Sequence, residues 1–231
     1  MENLLGKTLE ELKQLALDLG MPAFVGKQMA EWIYKKRVKE VSSMSNISQK
    51  NRALISESHT IGVQPPIESL TSIDGTKKYL FEVDKHFIEA VFIPESDRAT
   101  LCVSTQVGCK MNCKFCATGK QGFSAQLSTH QILNQIFAIP ESQQLTNIVF
   151  MGMGEPFDNT ENVLKVLDIL TADYALAWSP KRITVSTVGL IPGLKRFLNE
   201  SKCHLAVSLH NPIAEERLAL MPAQKAFPIA K

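Results

Sequence analysis

Between Ala99 and Leu209 short apolar runs alternate with helical patterns: ATLCVSTQV, a helix near 129–136, TNIVFMG, a helix near 160–170, RITVST, a helix near 193–198, then HLAVSL. Parallel neighbours need a crossover of about a dozen residues, usually a helix, so this series predicts an α/β fold with a parallel sheet or part of a barrel. Sheets of this kind hold ligands at the carboxyl ends of their strands, and the informative motifs below all fall there.

The preceding residues read differently. Thr8 and Glu11 have capping-box spacing, Leu9, Leu12, Leu15, Ala16 and Leu19 recur at helical intervals, and Gly20 supplies a stop, which predicts a helix over 9–19. Further helices are predicted over 27–37 and 49–57, the second after a serine-rich loop at 42–48. IESLTSI, TKKYLFEV and HFIEAVFI, separated by Asp74-Gly75 and Asp84-Lys85, read as a three-stranded meander. The expected organisation is a helical module over 1–60, the meander over 61–94 and a core over 95–231.

No window approaches the roughly 18 consecutive apolar residues of a membrane span, and the start, MENLLGKTLEELKQ, lacks a signal peptide's apolar centre, so a cytoplasmic protein with no membrane partner is expected. A net charge of +2 is too small to demand a nucleic-acid partner by itself, which leaves that argument to local clusters. Of the 5 cysteines, Cys102, Cys109, Cys113 and Cys116 crowd together, with Cys203 apart. An odd count in a chain with no export signal favours metal or redox chemistry over a disulfide framework.

Cys109, Cys113 and Cys116 form a C-x3-C-x2-C pattern just after the first of the alternating strands. Three thiolates on so short a loop can wrap one face of a [4Fe–4S] cube and leave one iron open, because such a cluster normally takes four protein ligands. S-adenosylmethionine can occupy an open iron through its amine and carboxylate, which brings its sulfonium beside the cluster for reductive cleavage. The competing reading is a zinc knuckle with Cys102, Cys203 or a histidine as fourth ligand, although no second cysteine pair follows.

CKMNCKFC resembles the radical-SAM signature, and RATLCVSTQVGCKMNCKFCATGKQGF is similar to the RlmN and Cfr family of RNA adenosine methyltransferases. The likeness continues through FMGMGEP, ITVSTVG, HLAVSLHNP and ERLALMP. It implies a radical-SAM barrel, a [4Fe–4S] cluster on Cys109, Cys113 and Cys116, and methylation of carbon 2 of adenosine in large-subunit ribosomal and transfer RNA, using two S-adenosylmethionine molecules. Gly154, Glu155, Ser186, Ser208, Leu209 and His210 would bind that cofactor, and the cluster's surroundings would hold the cysteines as thiolates. Phe115 would pack beside the adenosyl group or simply plug the cluster. Cys102 would be catalytic, resolving the RNA adduct and forming a transient disulfide with a second, methylated cysteine. Glu89 would be the proton acceptor, in a water-poor pocket that raises its pKa. From the pattern alone Cys102 is a buried strand thiol and Glu89 a solvent-facing strand residue. Cys203, His204, His130, His86 and His59 receive no role.

The resemblance also implies an electron donor such as flavodoxin as a partner, and RNA contacts from the 1–60 module. Lys35, Lys36, Arg37, Lys39, Lys77, Lys78, Lys110, Lys114 and Lys120 are the candidates for phosphate, or plain surface charges. Ser124-Ala125-Gln126-Leu127 departs from relatives that carry an arginine there. Oligomeric state is not legible, a monomer being the default. No cysteine stands where the family keeps its methyl carrier, and four core strands stand against the family's six. The expectation is therefore a piece of a longer protein that binds a cluster without completing RNA methylation. Its last strand would be an exposed edge, and Phe227 and Ile229 would have nothing to pack beneath. The alternatives are a radical-SAM enzyme of another reaction class, such as a glycyl-radical activase, and a zinc-stabilised RNA-binding module.

Overall fold

The computed structural model describes residues 1–229. Strand β1 (Glu2–Asn3) is followed by helices α1 (Leu9–Asp18) and α2 (Phe24–Ala30), a π-helical turn (Glu31–Lys35) and α3 (Gln49–Ser58), and β2 (His59–Thr60) pairs in parallel with β1. The capping box on α1 forms as its sequence dictates: the Thr8 hydroxyl accepts from the Glu11 N–H, and the Glu11 carboxylate accepts from the Thr8 N–H. The second helix begins at Phe24, earlier than its pattern predicts, because Phe24 is exposed and no side chain caps the start. The serine-rich loop begins with a short 3-10 turn, Val41–Ser43.

Strands β3 (Glu68–Thr71), β4 (Lys77–Val83) and β5 (His86–Pro94) form the expected antiparallel meander. They continue directly into a parallel sheet of β6 (Ala99–Cys102), β9 (Asn147–Phe150), β10 (Ile183–Thr187) and β11 (His204–Val207), in the spatial order β11-β10-β9-β6-β5-β4-β3. Helices α5 (Thr129–Ala138), α6 (Thr160–Thr171) and α7 (Ile191–Glu200) connect the parallel strands. ATLCVSTQV is not one strand. It ends as β6 at Cys102, turns where Ser104 exchanges two backbone hydrogen bonds with the Gln135 side chain, and resumes as β7 (Gln106–Gly108). Strand β7 pairs with the unexpected β8 (Phe123–Gln126), and the cysteine loop and α4 (Ala117–Gln121) lie between them.

Directly opposed residues share a face of a sheet. Phe92, Leu101, Ile148 and Ile183 stand abreast and are buried with Ile132 and Ile136 of α5 and Val166 and Leu170 of α6. One residue along, Val91, Cys102, Val149, Thr184 and His204 form the row on the opposite, half-exposed face. Strand β11 is an edge of the sheet, as expected. Phe227 corrects the reading of the last residues: it packs against the core, because α8 (Ala214–Leu220) and the 3-10 turn Pro222–Lys225 fold back and carry it there. Ile229 is 37% exposed and donates its N–H to Gln224.

Candidate active site

The ends of β9, β10 and β11 and the cysteine loop enclose a cavity of about 310 Å³. Cys109, Cys113 and Cys116 line it together with Gly154, Glu155, Ser186, Ser208 and His210, so one concavity gathers most of the residues singled out in the sequence. Leu209 is not in the wall. It is 44% exposed, and what it contributes is its carbonyl, which accepts from Arg217 Nε.

The loop is aimed into the cavity by the β7–β8 hairpin. Asn159 donates to the carbonyls of Thr105 and Leu127, which face each other at the open end of the hairpin. Gln106 joins Gln126, Asp158 and the Glu155 N–H, and Lys110 pairs with Asp158 at 2.9 Å. The GMGEP turn fits under this network only because Gly154 has no side chain. Its φ is +100°, and a Cβ there would stand 2.6 Å from Gln106 Cβ.

Glu155 is 3% exposed, and its carboxylate is engaged by the chain itself. Oε1 accepts from the Phe157 N–H and the Thr187 hydroxyl, and Oε2 from the Val188 N–H. Burial pushes its pKa up against those three donors. Glu155 thus ties the end of β9 to the end of β10 as well as walling the cavity.

Burial raises the Cys109 thiol to about 11, with Glu155 and the two neighbouring cysteines adding to the shift, and Cys113 is raised by the same causes. For Cys109 and Cys113, burial and mutual repulsion both oppose the thiolate charge in the absence of a metal. A cationic metal core relieves both, and thiol protons leave as metal binds. Among the described residues no three His, Cys, Asp or Glu side chains gather tightly enough to hold a single metal ion. The three cysteines line one cavity together, a donor set of soft sulfur ligands that suits an iron–sulfur cluster.

Phe115 lies against His210 with ring centroids 4.2 Å apart, joining the cysteine loop to the residues after β11 at the cavity mouth. Cys102 sits in the half-exposed row of the sheet, its thiol raised by burial, and Met151, just past the end of the neighbouring β9, lines the cavity. All five cysteines are free. Glu89 shares the face with Cys102, but the water-poor pocket expected around it is corrected: its side chain is 43% exposed and paired with Lys78 at 2.8 Å. Strand alternation buries Ile88 and Ala90 and leaves Glu89 facing out.

Of the basic candidates, Lys36 pairs with Glu31 and lies over Trp32, Arg37 donates to the Ser142 carbonyl, Lys77 pairs with Glu141, and Lys78 and Lys110 are paired as above. Lys35, Lys39, Lys114 and Lys120 form no ion pair among the described residues. Sequence reasoning missed Thr187, Val188 and Met221 in the cavity wall and Arg217 behind it. Only the position of Thr187 and Val188 at the end of a parallel strand could have pointed to them.

No helix among the described residues is long and apolar enough to cross a membrane. Residues 2–61 match the family described as the ribosomal RNA large subunit methyltransferase N-terminal domain, and residues 103–221 match the radical SAM superfamily. A probable dual-specificity RNA methyltransferase RlmN of Phocaeicola vulgatus is 62% identical over 99% of this chain and 66% of its own length. The dual-specificity RNA methyltransferase RlmN of Bdellovibrio bacteriovorus is 42% identical over 96% of this chain and 57% of its own. A crystal structure of a radical SAM methyltransferase from Sphaerobacter thermophilus superposes with a TM-score of 0.92 at 35% identity, covering 100% of this chain and 70% of that one. The chain thus spans 66% of the length of its Phocaeicola relative. With the cysteine loop and the glycine turn both falling inside the matched stretch, the chain belongs to the radical SAM superfamily.

Proposed function

We propose that this chain is the cluster- and cofactor-binding portion of an enzyme that methylates carbon 2 of adenosine in RNA, both ribosomal and transfer. The observation that carries the reading is the single cavity shared by Cys109, Cys113, Cys116 and the ends of three parallel strands. The family uses a [4Fe–4S] cluster and S-adenosylmethionine, and the donor set fits them: three soft sulfur ligands, with hydroxyls and backbone amides beside them. Bound there, the cluster would supply the electron that cleaves the cofactor's sulfonium.

The chain's own residues then divide the work. Cys109, Cys113 and Cys116 hold three irons, Gly154 lets the backbone come close to the cofactor, and Ser186 and Ser208 orient its polar end. Phe115 and His210 cover the mouth and exclude water. Cys102 and Glu89, which share the sheet face leading to the cavity, would carry off the one proton that carbon 2 of the methylated base gives up, Cys102 at Sγ after losing its own proton or Glu89 at its carboxylate. The 1–60 module, with Lys35 and Lys39, and the loop lysines Lys114 and Lys120 would contact RNA phosphates. A flavodoxin-type electron donor, a monomeric state and a cytoplasmic location complete the reading.

Anaerobic reconstitution tests it. The chain should bind about four irons and four sulfides, lose them in Cys113→Ala, and release 5′-deoxyadenosine when given reductant and S-adenosylmethionine. A colourless protein holding one zinc would overturn the reading. Carbon-2 methylation of RNA by this chain alone, in a single turnover, would overturn its restriction to a portion of the enzyme.

A further inference from the structure

Arg217 in α8 is 1% exposed and heads the largest fully buried side chains among the described residues. Nε donates to the Leu209 carbonyl, Nη1 to Gln224 Oε1, and Nη2 to the carbonyls of Val188 and Ser208, at 2.6 to 3.2 Å. All four acceptors are neutral. Among the described residues no carboxylate pairs with it, although buried charges are ordinarily paired.

The position of this unpaired cation is specific. Val188 and Ser208, which accept from the same nitrogen, both line the cavity, and so does Met221, whose N–H donates to the Arg217 carbonyl. The guanidinium therefore stands directly behind the wall, bonded to the backbone of two residues that line it. Three thiolates outweigh an oxidised [4Fe–4S]2+ core by one negative charge, and reduction adds another.

We propose that Arg217 is a positioning residue that supplies the counter-charge for the anionic occupant of this cavity. The inference rests on the cluster-binding reading given above. A fixed cation behind the wall favours the more negative state of a cluster in front of it, so cancelling that cation drives the cluster's reduction potential negative and weakens the hold on the cofactor's carboxylate.

Gln224→Glu tests this without removing the arginine. The change is isosteric, a carboxylate oxygen still accepts from Nη1 and from the Ile229 N–H, and the guanidinium gains a partner inside the chain. In the reconstituted full chain, Gln224→Glu should keep the wild-type melting temperature or exceed it and load the same iron. Its potential, followed by the electron-spin signal of the reduced cluster, should move negative, and S-adenosylmethionine should perturb that signal only at higher concentration. A wild-type potential and wild-type cofactor affinity in Gln224→Glu would overturn the proposal. If that variant is insoluble, the pair Arg217→Lys and Arg217→Gln decides by the same readout. A potential that falls in the glutamine variant but holds in the lysine variant supports the counter-charge. Equal behaviour of the two overturns it, because Arg217 is then only a brace. Wild-type protein that takes up no cluster refutes the cluster-binding reading instead, and is told apart by its iron content alone.

Discussion

Glu155 shows how a residue in the cavity wall can also be a structural brace. Its carboxylate accepts from two N–H groups and a hydroxyl belonging to Phe157, Val188 and Thr187. Glutamine at this place has only one oxygen, so its NH2 must face at least one of those donors and leave a buried N–H without a partner. The cost is about 1–3 kcal/mol. Glu155→Gln should therefore melt several degrees lower with no ligand present, as well as binding S-adenosylmethionine less tightly. An unchanged melting curve would mean that the three internal hydrogen bonds do not hold the ends of β9 and β10 together. The motif made Glu155 legible as a site residue, whereas the brace was not, because two of its three donors come from a strand end some 30 residues away. Arg217 was hidden for a similar reason: an arginine in a short amphipathic stretch reads as surface until the fold brings four acceptors around it.

At the scale of elements, period and turn chemistry made most of the sheet readable, since Ile183–Thr187 and Asn147–Phe150 are apolar runs bounded by polar breaks. The β7–β8 hairpin was not readable. Phe123–Gln126 is short and only half covered, and the break in ATLCVSTQV comes from Gln135 on a distant helix, which no local pattern reports. Yet this hairpin aims the cysteines. It closes at Gly108, whose φ is +73° and where a Cβ would run into the Gly122 carbonyl. Gly108→Ala should lower the melting midpoint by several degrees, because alanine is strained at this φ, and lower the iron retained after reconstitution by more than half, because the adjacent Cys109 is displaced. Full iron loading in Gly108→Ala would show that the cysteine loop finds its place without the hairpin.

Across the whole molecule, the helical module and the sheet are joined by more than a linker. Tyr34 packs edge-on to both Phe137 and Tyr174, His130 bonds to the Gly62 carbonyl, and Lys165 reaches Glu11. Asn134 on α5 both accepts from the Gln64 N–H and donates to the Gln64 carbonyl, imitating one rung of a strand ladder in a part-buried seam. One continuous apolar core runs from Leu4 through Phe197, so neither part keeps its interior if the other opens. Calorimetry should accordingly show a single transition whose van't Hoff and calorimetric enthalpies agree. Asn134→Leu keeps the heavy-atom branching but removes the partners of two part-buried backbone groups, at a cost of about 2 kcal/mol. For a chain of this size that lowers the midpoint by about 4–8 °C, and the whole transition should move together. If the curve of the variant instead splits in two, with an early step confined to the helices of the amino-terminal part, the seam is a contact between independent domains, and the cooperativity argued from the shared core is wrong.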